Sequence, residues 1–410
     1  MTKSPRAVPR AAFDSEPARA DAPPILIVGA GIGGLAAALA LARRGIDCHV
    51  LERRTVFEPE GAGIQIGPNG TRILAELGIT EHLEPLAGKP DAIHVRNAVS
   101  GTTLADLPLG AWMAARHGDP YWVLHRQDLH AALLAAAKAT PRIELTMGFA
   151  VAEAGSPSDD AVEVRERDGR TFRGDALIAA DGLRSQLRDA VFNAPPLRFA
   201  QRSAARAVIP LDAAPPALRE NAVGLWMSPR AHVVHYPVRG NRELAMIFVR
   251  KDTTASDDWS TAIPRSWVLD TAEAFCAPLR RLLEAPPQWK KWALYELPPL
   301  PFWQAGRIAL LGDAAHPTLP FLAQGAVLAL EDAAVLARRI AEMPNNIPRA
   351  LTAYAMARRH RASRVVSAAR ANGRIYHLDG ALAAARDVTM RMTPPRLLMA
   401  RYDWVYGWRP

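Results

Sequence analysis

The sequence predicts an α/β fold in which a parallel sheet flanked by helices is joined to a second domain built on a β-sheet. The first observation is an apolar run near residue 25 that leads into a glycine-rich turn and a helical segment. The second is a change to strand-like segments with tight turns between Ala200 and Pro299, followed by a helical pattern from Leu351 onward. Because 410 residues exceed one ordinary hydrophobic core, at least two compact units are expected.

The composition is typical of a globular chain, since 22% of the residues are charged and 49% are hydrophobic. The formal net charge of +9 comes mostly from scattered arginines. The densest group lies at helical spacing and consists of Arg358, Arg359, Arg361 and Arg364. Such a group could attract nucleic acid, but a solvated helix face, or an attraction for anionic small molecules, fits as well. We therefore expect no nucleic-acid partner.

The two cysteines, Cys48 and Cys276, lie far apart in the sequence, so no disulfide framework is expected and a reducing, cytoplasmic location is predicted. Residues 1–22 are rich in Pro, Ala and Arg but lack the apolar stretch of a signal peptide, and they are predicted to form a disordered tail. The uncharged stretch Ile25–Ala42 has the length of a membrane helix. Its cluster of glycines favours a strand, a turn and a helix instead, so no membrane association is expected.

A glycine-rich turn at Gly29–Gly34 lies between an apolar strand, Ile25–Val28, and a helical stretch, Leu35–Arg44. A second strand follows at Asp47–Leu51 and ends in Glu52. The turn has the GxGxxG pattern of dinucleotide-binding βαβ units, in which a pyrophosphate lies at the N-terminus of the helix. A glycine-rich turn in some other βαβ unit is the alternative.

Each residue type in this unit has a physical role in holding a dinucleotide. Gly29 permits the tight turn, Gly31 allows the backbone to approach the pyrophosphate, and Gly34 permits close packing of helix on strand. Glu52 is placed to accept hydrogen bonds from a ribose diol. The motif alone does not separate FAD from NAD, so an NAD-dependent dehydrogenase stays open at this point.

Two later motifs each follow a strand-like run, namely the dipeptide Asp181-Gly182 and the string GDAAHP at Gly312–Pro317. A helix is predicted to begin at Gln324-Gly325-Ala326. In this order, with GxGxxG first, the motifs resemble those of the single-component aromatic-ring hydroxylases, or class A flavin monooxygenases. The chain resembles in particular the branch that contains the salicylate, 3-hydroxybenzoate and 6-hydroxynicotinate monooxygenases. The resemblance covers nearly everything from about residue 23 to residue 410.

The resemblance implies FAD as cofactor, NADH or NADPH as co-substrate, and O2 as oxidant. It implies that Asp313 binds the ribityl chain, that Arg126 contacts the cofactor, and that Asp181 lies beside FAD and the path of the nicotinamide. The helix that begins near Gly325 and Ala326 is implied to stabilise the reduced, anionic flavin through its first N–H groups. The implied FAD-binding residues are Gly29, Gly31, Gly34, Glu52, Arg53, Gly63, Arg126, Asp181, Asp313, Pro317, Gly325 and Ala326.

A β-hairpin is predicted from the strands Ala231–Val238 and Glu243–Val249. Side chains four apart on a strand share a face, so His232 and Tyr236 point one way while His235 points the other. A metal site shared by His232 and His235 is therefore not expected. No spacing elsewhere in the chain is typical of metal ligands, so no metal is predicted.

The arrangement His-x-x-x-Tyr-Pro, which begins at His232, resembles the hydroxybenzoate and hydroxynicotinate hydroxylases. That resemblance implies that His232 is a base or proton shuttle and that Tyr236 binds the substrate. The chemistry needs such a base, because a flavin C4a-hydroperoxide attacks a phenolate more readily than a phenol, and a group with a pKa of about 7 suits the proton transfer. The alternatives are a histidine satisfied within the sheet and a core tyrosine.

The sequence therefore predicts an FAD-dependent monooxygenase that hydroxylates a small phenolic aromatic or heteroaromatic acid. The same flavin scaffold acting as a hydroxylase or epoxidase on a polyketide or quinolone intermediate is the alternative. Pro320-Phe321-Leu322 stands where several members of the family carry a polar residue, which indicates a more apolar wall. An NAD-dependent dehydrogenase and a non-catalytic FAD-binding protein are weaker alternatives. His316, within GDAAHP, is expected to have a packing or hydrogen-bonding role rather than a catalytic one.

The domain organisation is predicted to be discontinuous. A Rossmann-like FAD-binding domain comprises 23–88, 121–195 and 300–375, a β-sheet substrate domain comprises 89–120 and 196–299, and a helical segment spans 376–410. Strand-like patterns at Ala92–Val95 and Thr102–Leu107 assign the first of the substrate-domain segments. The aromatic-rich stretch Arg401–Trp408 is predicted to dock on the body of the protein, which is expected to be a monomer or a homodimer.

Overall fold

The computed structural model describes residues 22–57, 62–158, 160–256, 258 and 260–410. The tail predicted for residues 1–22 lies outside the described residues except for Ala22. The strands in the described part are β1 (Ile25–Val28), β2 (Cys48–Glu52), β3 (Gly63–Ile66), β4 (Ala92–Asn97), β5 (Thr103–Pro108), β6 (Trp122–His125), β7 (Ile143–Met147), β8 (Val151–Ser158), β9 (Ala161–Glu166), β10 (Thr171–Gly174), β11 (Ala176–Ala179), β12 (Arg198–Pro210), β13 (Ala222–Met227), β14 (Ala231–Val238), β15 (Glu243–Lys251), β16 (Thr261–Ile263), β17 (Trp289–Glu296), β18 (Gln304–Ala305) and β19 (Ile308–Leu310).

Helices alternate with the strands in the first half of the chain and dominate its C-terminal part. They are α1 (Ile32–Ala42), α2 (Pro68–Glu76), α3 (Thr80–Leu83), α4 (Gly110–His117), α5 (Arg126–Lys138), α6 (Gln186–Phe192), α7 (Ser266–Leu269), α8 (Ala277–Glu284), α9 (Gly325–Glu342), α10 (Ile347–Tyr376), α11 (Gly380–Met392), α12 (Pro395–Ala400) and α13 (Asp403–Tyr406). None of the helices in the described ranges is both long enough and apolar enough to cross a membrane.

The first sheet has six strands in the order β18-β19-β11-β1-β2-β7. β1 pairs in parallel with β11 and β2, and β19 and β7 continue the parallel arrangement on either side. All of β1 is buried, as expected for an uncharged, partly β-branched strand that is covered on both faces. Ile25 and Ile27 belong to a core that also contains buried residues of α1, α5 and α9. The predicted α/β class is confirmed.

The second sheet has eight strands in the order β16-β17-β12-β15-β14-β13-β4-β5. Its neighbours are antiparallel except β4 and β13, which run parallel. One face of the sheet packs on α7 and α8 through a core that includes Phe248 and Trp289. The two N-terminal strands of this sheet come from before residue 110 and the other six from after residue 197, so the chain enters the sheet in two separate segments.

Two smaller sheets lie outside the sequence-based expectations. The strands β10, β9 and β8 form one antiparallel sheet, and β3 pairs with β6 to form the other. In the β3–β6 pair, Gly63 lies opposite His125. The N–H of Arg126 then donates a hydrogen bond of 2.8 Å to the Ala62 carbonyl. The pairing therefore places Gly63 beside the start of α5.

The arginines of α10 that have helical spacing do not form a free cationic surface. Arg358 pairs with both Glu331 and Asp332 of α9, each at 2.7 Å, and Arg361 pairs with Glu331 at 2.7 Å. All of these side chains are at most 9% exposed. Two members of the group thus stabilise the contact between α9 and α10 from within the protein.

The C-terminal aromatic stretch docks on the body of the protein, as expected. The guanidinium of Arg364 lies over the ring of Trp404 at 3.8 Å, a cation–π contact. Arg72 of α2 donates a hydrogen bond of 2.5 Å to the Trp408 carbonyl. α13 is thereby held against α2 and α10, and the tail covers the outer side of the arginine group.

Candidate active site

The three sequence motifs meet at one edge of the parallel sheet. Val28 at the end of β1 pairs with Ala179 of β11 and with Leu51 of β2, and Ala179 pairs in turn with Leu310 of β19. The chain beyond each of these residues therefore emerges at the same edge, where open α/β sheets bind their ligands. GxGxxG, the Asp-Gly turn and GDAAHP are thus brought together although they are remote in sequence.

Close backbone contacts require glycine at two positions of the GxGxxG loop. Gly29 has a φ of +105°, and a Cβ there would lie 2.5 Å from the carbonyl oxygen of Ala180. A Cβ on Gly34 would lie 1.9 Å from the carbonyl oxygen of Gly29. Gly31 differs, because a Cβ built on it meets no atom of the described residues within 4 Å. The open space at the N-terminus of α1 fits a pyrophosphate.

Glu52 holds the glycine-rich loop from the end of β2. Its Oε2 accepts a hydrogen bond of 2.9 Å from the Ala30 N–H, and its Oε1 accepts one of 3.0 Å from the Arg54 N–H. The Glu52 side chain is buried, whereas Arg53 is exposed. Each carboxylate oxygen can accept a further hydrogen bond, so contact with a ribose stays a prediction. Orientation of the loop is a role that the motif did not indicate.

Asp181 follows β11 and presents an acceptor that the protein leaves unsatisfied. Its Oδ1 is buried and accepts no hydrogen bond from the residues that the structure describes. Burial raises the pKa of Asp181, while a hydrogen bond with Ser185 acts to lower it. Because a buried acceptor without a partner is costly, the site fits a ligand that brings a donor.

Asp313 lies in a short turn after β19, at Gly312–Ala314. The side chain is solvent-accessible, yet the surrounding protein is dense enough that burial raises its pKa, against the lowering effects of His316 and Arg126. The effect of Arg126 on the pKa of Asp313 indicates that the two predicted cofactor contacts lie near one another, and contact of either with FAD stays a prediction.

The GDAAHP turn is fixed from beneath by Asp332 of α9. Its Oδ2 accepts hydrogen bonds from the Gly312 N–H at 3.0 Å and from His316 Nε2 at 2.5 Å, and its Oδ1 accepts one from Arg358 Nε at 2.7 Å. Burial acts to raise the pKa of Asp332, but His316 and Arg358 hold it at about 2. His316 therefore has the hydrogen-bonding role expected of it.

The N-terminus of α9 follows the GDAAHP turn in the chain and is partly exposed. Its N-cap residue, Gln324, makes no cap with its side chain, which accepts a hydrogen bond of 2.9 Å from Asn69 instead. A Cβ on Gly325 meets no described atom within 4 Å, and Gly325 and Ala326 are both partly exposed. Pro317 is buried in the preceding turn. A helix N-terminus with free N–H groups and open space suits the negative charge of a reduced flavin.

His232 of β14 lies under the loop that leads into α9. The ring is 2% exposed, and its centroid lies 5.3 Å from that of Phe321 and 5.3 Å from that of Tyr376. Burial lowers the pKa of His232 well below its usual value, with a further lowering by His377. The expectation of a base with a pKa of about 7 is not met, because burial makes His232 a neutral, enclosed imidazole and a weaker base, on the face of the second sheet that carries Phe321.

The sequence did not indicate His377, which the structure places beside His232. His377 follows α10, and its Nε2 lies 3.0 Å from His232 Nδ1, while its Nδ1 lies 2.6 Å from the Gly373 carbonyl oxygen. Burial lowers the pKa of His377 to about 4, and Arg202 lowers it as well. No motif spacing joins two residues so far apart in sequence. A sequence signal that could have pointed to His377 is the apolar loop Pro320-Phe321-Leu322, because it offers no polar side chain to act as a second base.

Tyr236 lies on the same face of β14 as His232, and its ring packs on Gly63. A Cβ on Gly63 would lie only 2.3 Å from Tyr236 Cε2. Burial raises the pKa of Tyr236, while a hydrogen bond with Gln65 acts to lower it. His235 lies on the opposite face, with its Nε2 2.1 Å from the position a Cβ would take on Gly224. The expected separation of the two histidines is thus observed.

A cavity of about 430 Å³ opens between the start of α5 and the second sheet. Its lining includes Arg206, Arg239 and Lys290 together with a single acid, Glu243. Strand pairing places Arg206 and Lys290 on the face of the sheet that carries His232. Arg239 pairs with Glu243 at 3.1 Å. The excess of cations suits an anionic ligand. No cluster of side chains in the described ranges could hold a metal ion.

The chain matches the FAD binding domain family over residues 23–369. It is 35% identical over 386 residues to 3-hydroxybenzoate 6-hydroxylase of Polaromonas naphthalenivorans, an alignment that covers 94% of this chain and 96% of that protein. It is also 35% identical over 323 residues to 6-hydroxynicotinate 3-monooxygenase of Bordetella bronchiseptica, covering 77% of this chain and 82% of that protein.

The fold is similar to that of HpxO of Klebsiella pneumoniae, whose crystal structure contains FAD and uric acid. The TM-score is 0.81 at 28% sequence identity, and the match covers 92% of this chain and 95% of that chain. The predictions of the family, the FAD cofactor and the enzyme class are confirmed. The chain therefore belongs to the FAD binding domain family, as an FAD-dependent monooxygenase of the aromatic-ring hydroxylase kind.

Proposed function

We propose that this monooxygenase hydroxylates a small phenolic aromatic or heteroaromatic acid at the expense of NADH or NADPH and O2. The observation that carries the proposal is His232, an enclosed imidazole beside the loop that precedes the open N-terminus of α9. The relatives described above act, by their names, on 3-hydroxybenzoate and 6-hydroxynicotinate. Both compounds are aromatic acids with a ring hydroxyl, which is the group that a base would ionise.

The residues of this chain have two tasks in the proposed reaction, which are to orient the ring and to remove its hydroxyl proton. Reduced FAD together with O2 supplies an electrophilic oxygen when the cofactor is bound. His232 is the base, because its Nδ1 is engaged with His377 and its Nε2 is left for the substrate hydroxyl. Loss of that proton raises the electron density of the ring and makes it a better nucleophile. Tyr236 binds the substrate from the same face of β14.

The cofactor would be held where the motifs converge. Gly31 leaves room for the pyrophosphate, and Glu52 both orients the loop and remains able to accept from a ribose. The remaining contacts are proposed to come from Arg53, Gly63, Arg126, Asp181, Asp313, Pro317, Gly325 and Ala326. The cationic cavity lined by Lys290 and Arg239 is proposed to bind the anionic part of NADH or NADPH.

An alternative substrate, a polyketide or quinolone intermediate, is favoured by one observation. The ring of Phe321 lies 5.3 Å from that of His232, so the substrate pocket has an apolar wall at this point. An apolar wall would accept a larger and less polar ring system than a simple hydroxy acid. The same base and the same cofactor would serve this reaction.

The enzyme is proposed to act alone or as a homodimer in the cytoplasm, on a small molecule rather than on nucleic acid. Arg358 and Arg361, which gave the strongest indication of a nucleic-acid surface, are engaged by Glu331 and Asp332 inside the protein. Both described cysteines are free thiols, in keeping with a reducing compartment.

The experiment that tests the function is a panel of hydroxybenzoates, hydroxynicotinates and hydroxyquinolines, presented to the FAD-loaded protein with NADH or NADPH. We expect one class of compound to accelerate the oxidation of the nicotinamide, with a product that carries one additional oxygen atom from O2. Acceleration only by quinolines would favour the alternative substrate. If no compound accelerates the reaction, the proposed substrate class is wrong.

The role of His232 is tested separately. We expect His232→Ala to bind FAD normally and to hydroxylate about 100-fold more slowly, since positioned bases contribute on this scale. His235→Ala is the matched control, because His235 lies on the same strand but faces away. Hydroxylation by His232→Ala at the wild-type rate, with an unchanged pH profile, would show that another group removes the proton.

A further inference from the structure

Enclosed His232 has a neighbour, His377, that can exchange a proton with it. His377 comes from the end of α10, outside the second sheet, and approaches His232 to 3.0 Å between ring nitrogens. His232 is 2% exposed, whereas His377 is partly exposed. We propose that His377 relays the substrate's proton from His232 to solvent. The proposal rests on the proposed function and names a second imidazole that the reaction uses.

The hydrogen bonds determine which ring nitrogen carries each proton. A carbonyl oxygen can only accept, so the contact of 2.6 Å with Gly373 requires a proton on His377 Nδ1. A neutral imidazole has one N–H, so His377 Nε2 is an acceptor. His232 must then donate from Nδ1 across the contact of 3.0 Å, and its Nε2 carries a lone pair. The pair therefore presents a base to the substrate while His377 is ready to accept.

The transfer balances without any oxidation or reduction. The O–H bond of the substrate breaks and its proton forms an N–H bond at His232 Nε2. The proton on His232 Nδ1 passes to His377 Nε2, and the proton on His377 Nδ1 then leaves to water, which breaks the hydrogen bond of Nδ1 to the Gly373 carbonyl until the proton returns. The reverse sequence returns a proton to the hydroxyl of the product and restores both starting tautomers.

The surroundings of His232 and His377 disfavour a protonated imidazole at either position. The ring of His232 is enclosed by Phe321 and Tyr376, so water has no direct access to it through that wall. The charged groups that act on His377 are Arg202, Lys251 and Arg386, all of which disfavour an imidazolium. Burial lowers the pKa of both histidines. Both effects disfavour a lasting positive charge on either ring.

The test uses the FAD-loaded, oxidised enzyme mixed rapidly with a phenolic acid from the panel in a weakly buffered solution with a pH indicator dye. Wild-type protein should release a proton as the bound hydroxyl ionises. His377→Ala removes both the acceptor and the relay. His377→Gln keeps an amide oxygen that can accept from His232 Nδ1, but this amide cannot take up a proton.

We expect both variants to release the proton about 100-fold more slowly than the wild type, with unchanged affinity for FAD. Added imidazole should restore the rate in His377→Ala. The matched control is His360→Ala, an exposed position on the same helix, which should behave as the wild type. A wild-type release rate in His377→Gln would show that His377 only orients His232 and would reject the relay.

The relay and the proposed function fail in different ways. A wild-type enzyme that neither binds nor ionises any phenolic acid would reject the proposed function and the relay with it. Normal release by the wild type and by both variants would reject the relay alone. The near-ultraviolet absorbance of the bound phenolate gives an independent reading of ionisation, and FAD affinity shows that each variant is folded.

Discussion

Arg358 Nε donates a hydrogen bond of 2.7 Å to Asp332 Oδ1, and neither side chain is exposed to solvent. The same carboxylate accepts the N–H of Gly312, so the ion pair joins α9 and α10 to the turn that presents Asp313. Removing one partner of a buried pair leaves the other charge uncompensated. We expect Asp332→Asn to lower the free energy of unfolding by about 3–5 kcal/mol, measured by urea denaturation with FAD present.

Glu342 provides the matched control on the same helix. It is exposed and pairs with Arg338 at 2.7 Å and with Arg339 at 2.6 Å. Exposed ion pairs contribute little, so Glu342→Gln should change the free energy of unfolding by less than about 1 kcal/mol. Equal losses in the two variants would contradict the structural importance of the buried pair.

The pKa of Asp332 also makes the effect of acid predictable. His316 and Arg358 hold this pKa at about 2, against burial. A carboxyl group whose pKa is lower in the folded state contributes stability above its unfolded pKa of about 4 and loses that contribution as the pH falls toward 2. The difference in unfolding free energy between the wild type and Asp332→Asn should therefore shrink over this range. A difference that does not vary with pH would be evidence against this assignment.

Alanine substitutions at two glycines should separate cofactor binding from folding. A Cβ on Gly31 points into open space, whereas a Cβ on Gly34 would lie 1.9 Å from a backbone oxygen. We expect Gly31→Ala to keep the melting temperature of the apoprotein and to lose at least about tenfold in FAD affinity, or about 1.4 kcal/mol. Gly34→Ala should lower the melting temperature even without FAD. Unaltered FAD affinity in Gly31→Ala would place the pyrophosphate elsewhere.

Asp313 should make FAD binding sensitive to mild acid. A hydrogen bond to a charged group contributes about 1.5–3 kcal/mol, so Asp313→Asn should bind FAD about 10- to 100-fold more weakly in a fluorescence titration. Burial raises the pKa of Asp313, so the wild-type affinity should fall as the pH drops through a value above the ordinary range for aspartate. The variant should lack this dependence. Asp270→Asn, an exposed position, should match the wild type throughout.

The cationic cavity predicts how the nicotinamide nucleotide binds. Lys290→Glu reverses one charge in its lining and should raise the KM for NADH or NADPH by about tenfold, with a smaller effect at high salt. Affinity for FAD and for the aromatic substrate should stay the same. Lys138→Glu makes the same change at an exposed position of α5 and serves as the control. An equal rise in both variants would indicate only long-range attraction by net charge.

The sequence predicts those strands, turns and helices whose defining residues are adjacent in the chain. The strand Ile25–Val28, the GxGxxG turn and the following helix are continuous, so periodicity and glycine spacing identify them. Convergence of Gly29, Asp181 and Asp313 then follows, because parallel strands present their carboxyl ends at one edge. The hairpin that carries His232 was predicted for the same reason, since alternation along a strand determines the face of each side chain.

Contacts between distant segments were not predictable in this way. His377 meets His232 only because α10 ends beside the second sheet, and no pattern in either segment indicates the other. Glu52 was assigned to a ribose, but the loop it orients could be recognised only from the folded backbone. The arginines of α10 suggested a solvated face, whereas Arg358 and Arg361 are held by acids of α9.

The strands β11 and β19 are neighbours in the first sheet, although six of the eight strands of the second sheet lie between them in the chain. A ribosome delivers residues in order, so most of the second sheet leaves the exit tunnel before β19 can take its place and position Asp313. We therefore expect flavin to bind only after residue 313 has been made, by which point the GxGxxG loop and most of the second sheet have long been translated.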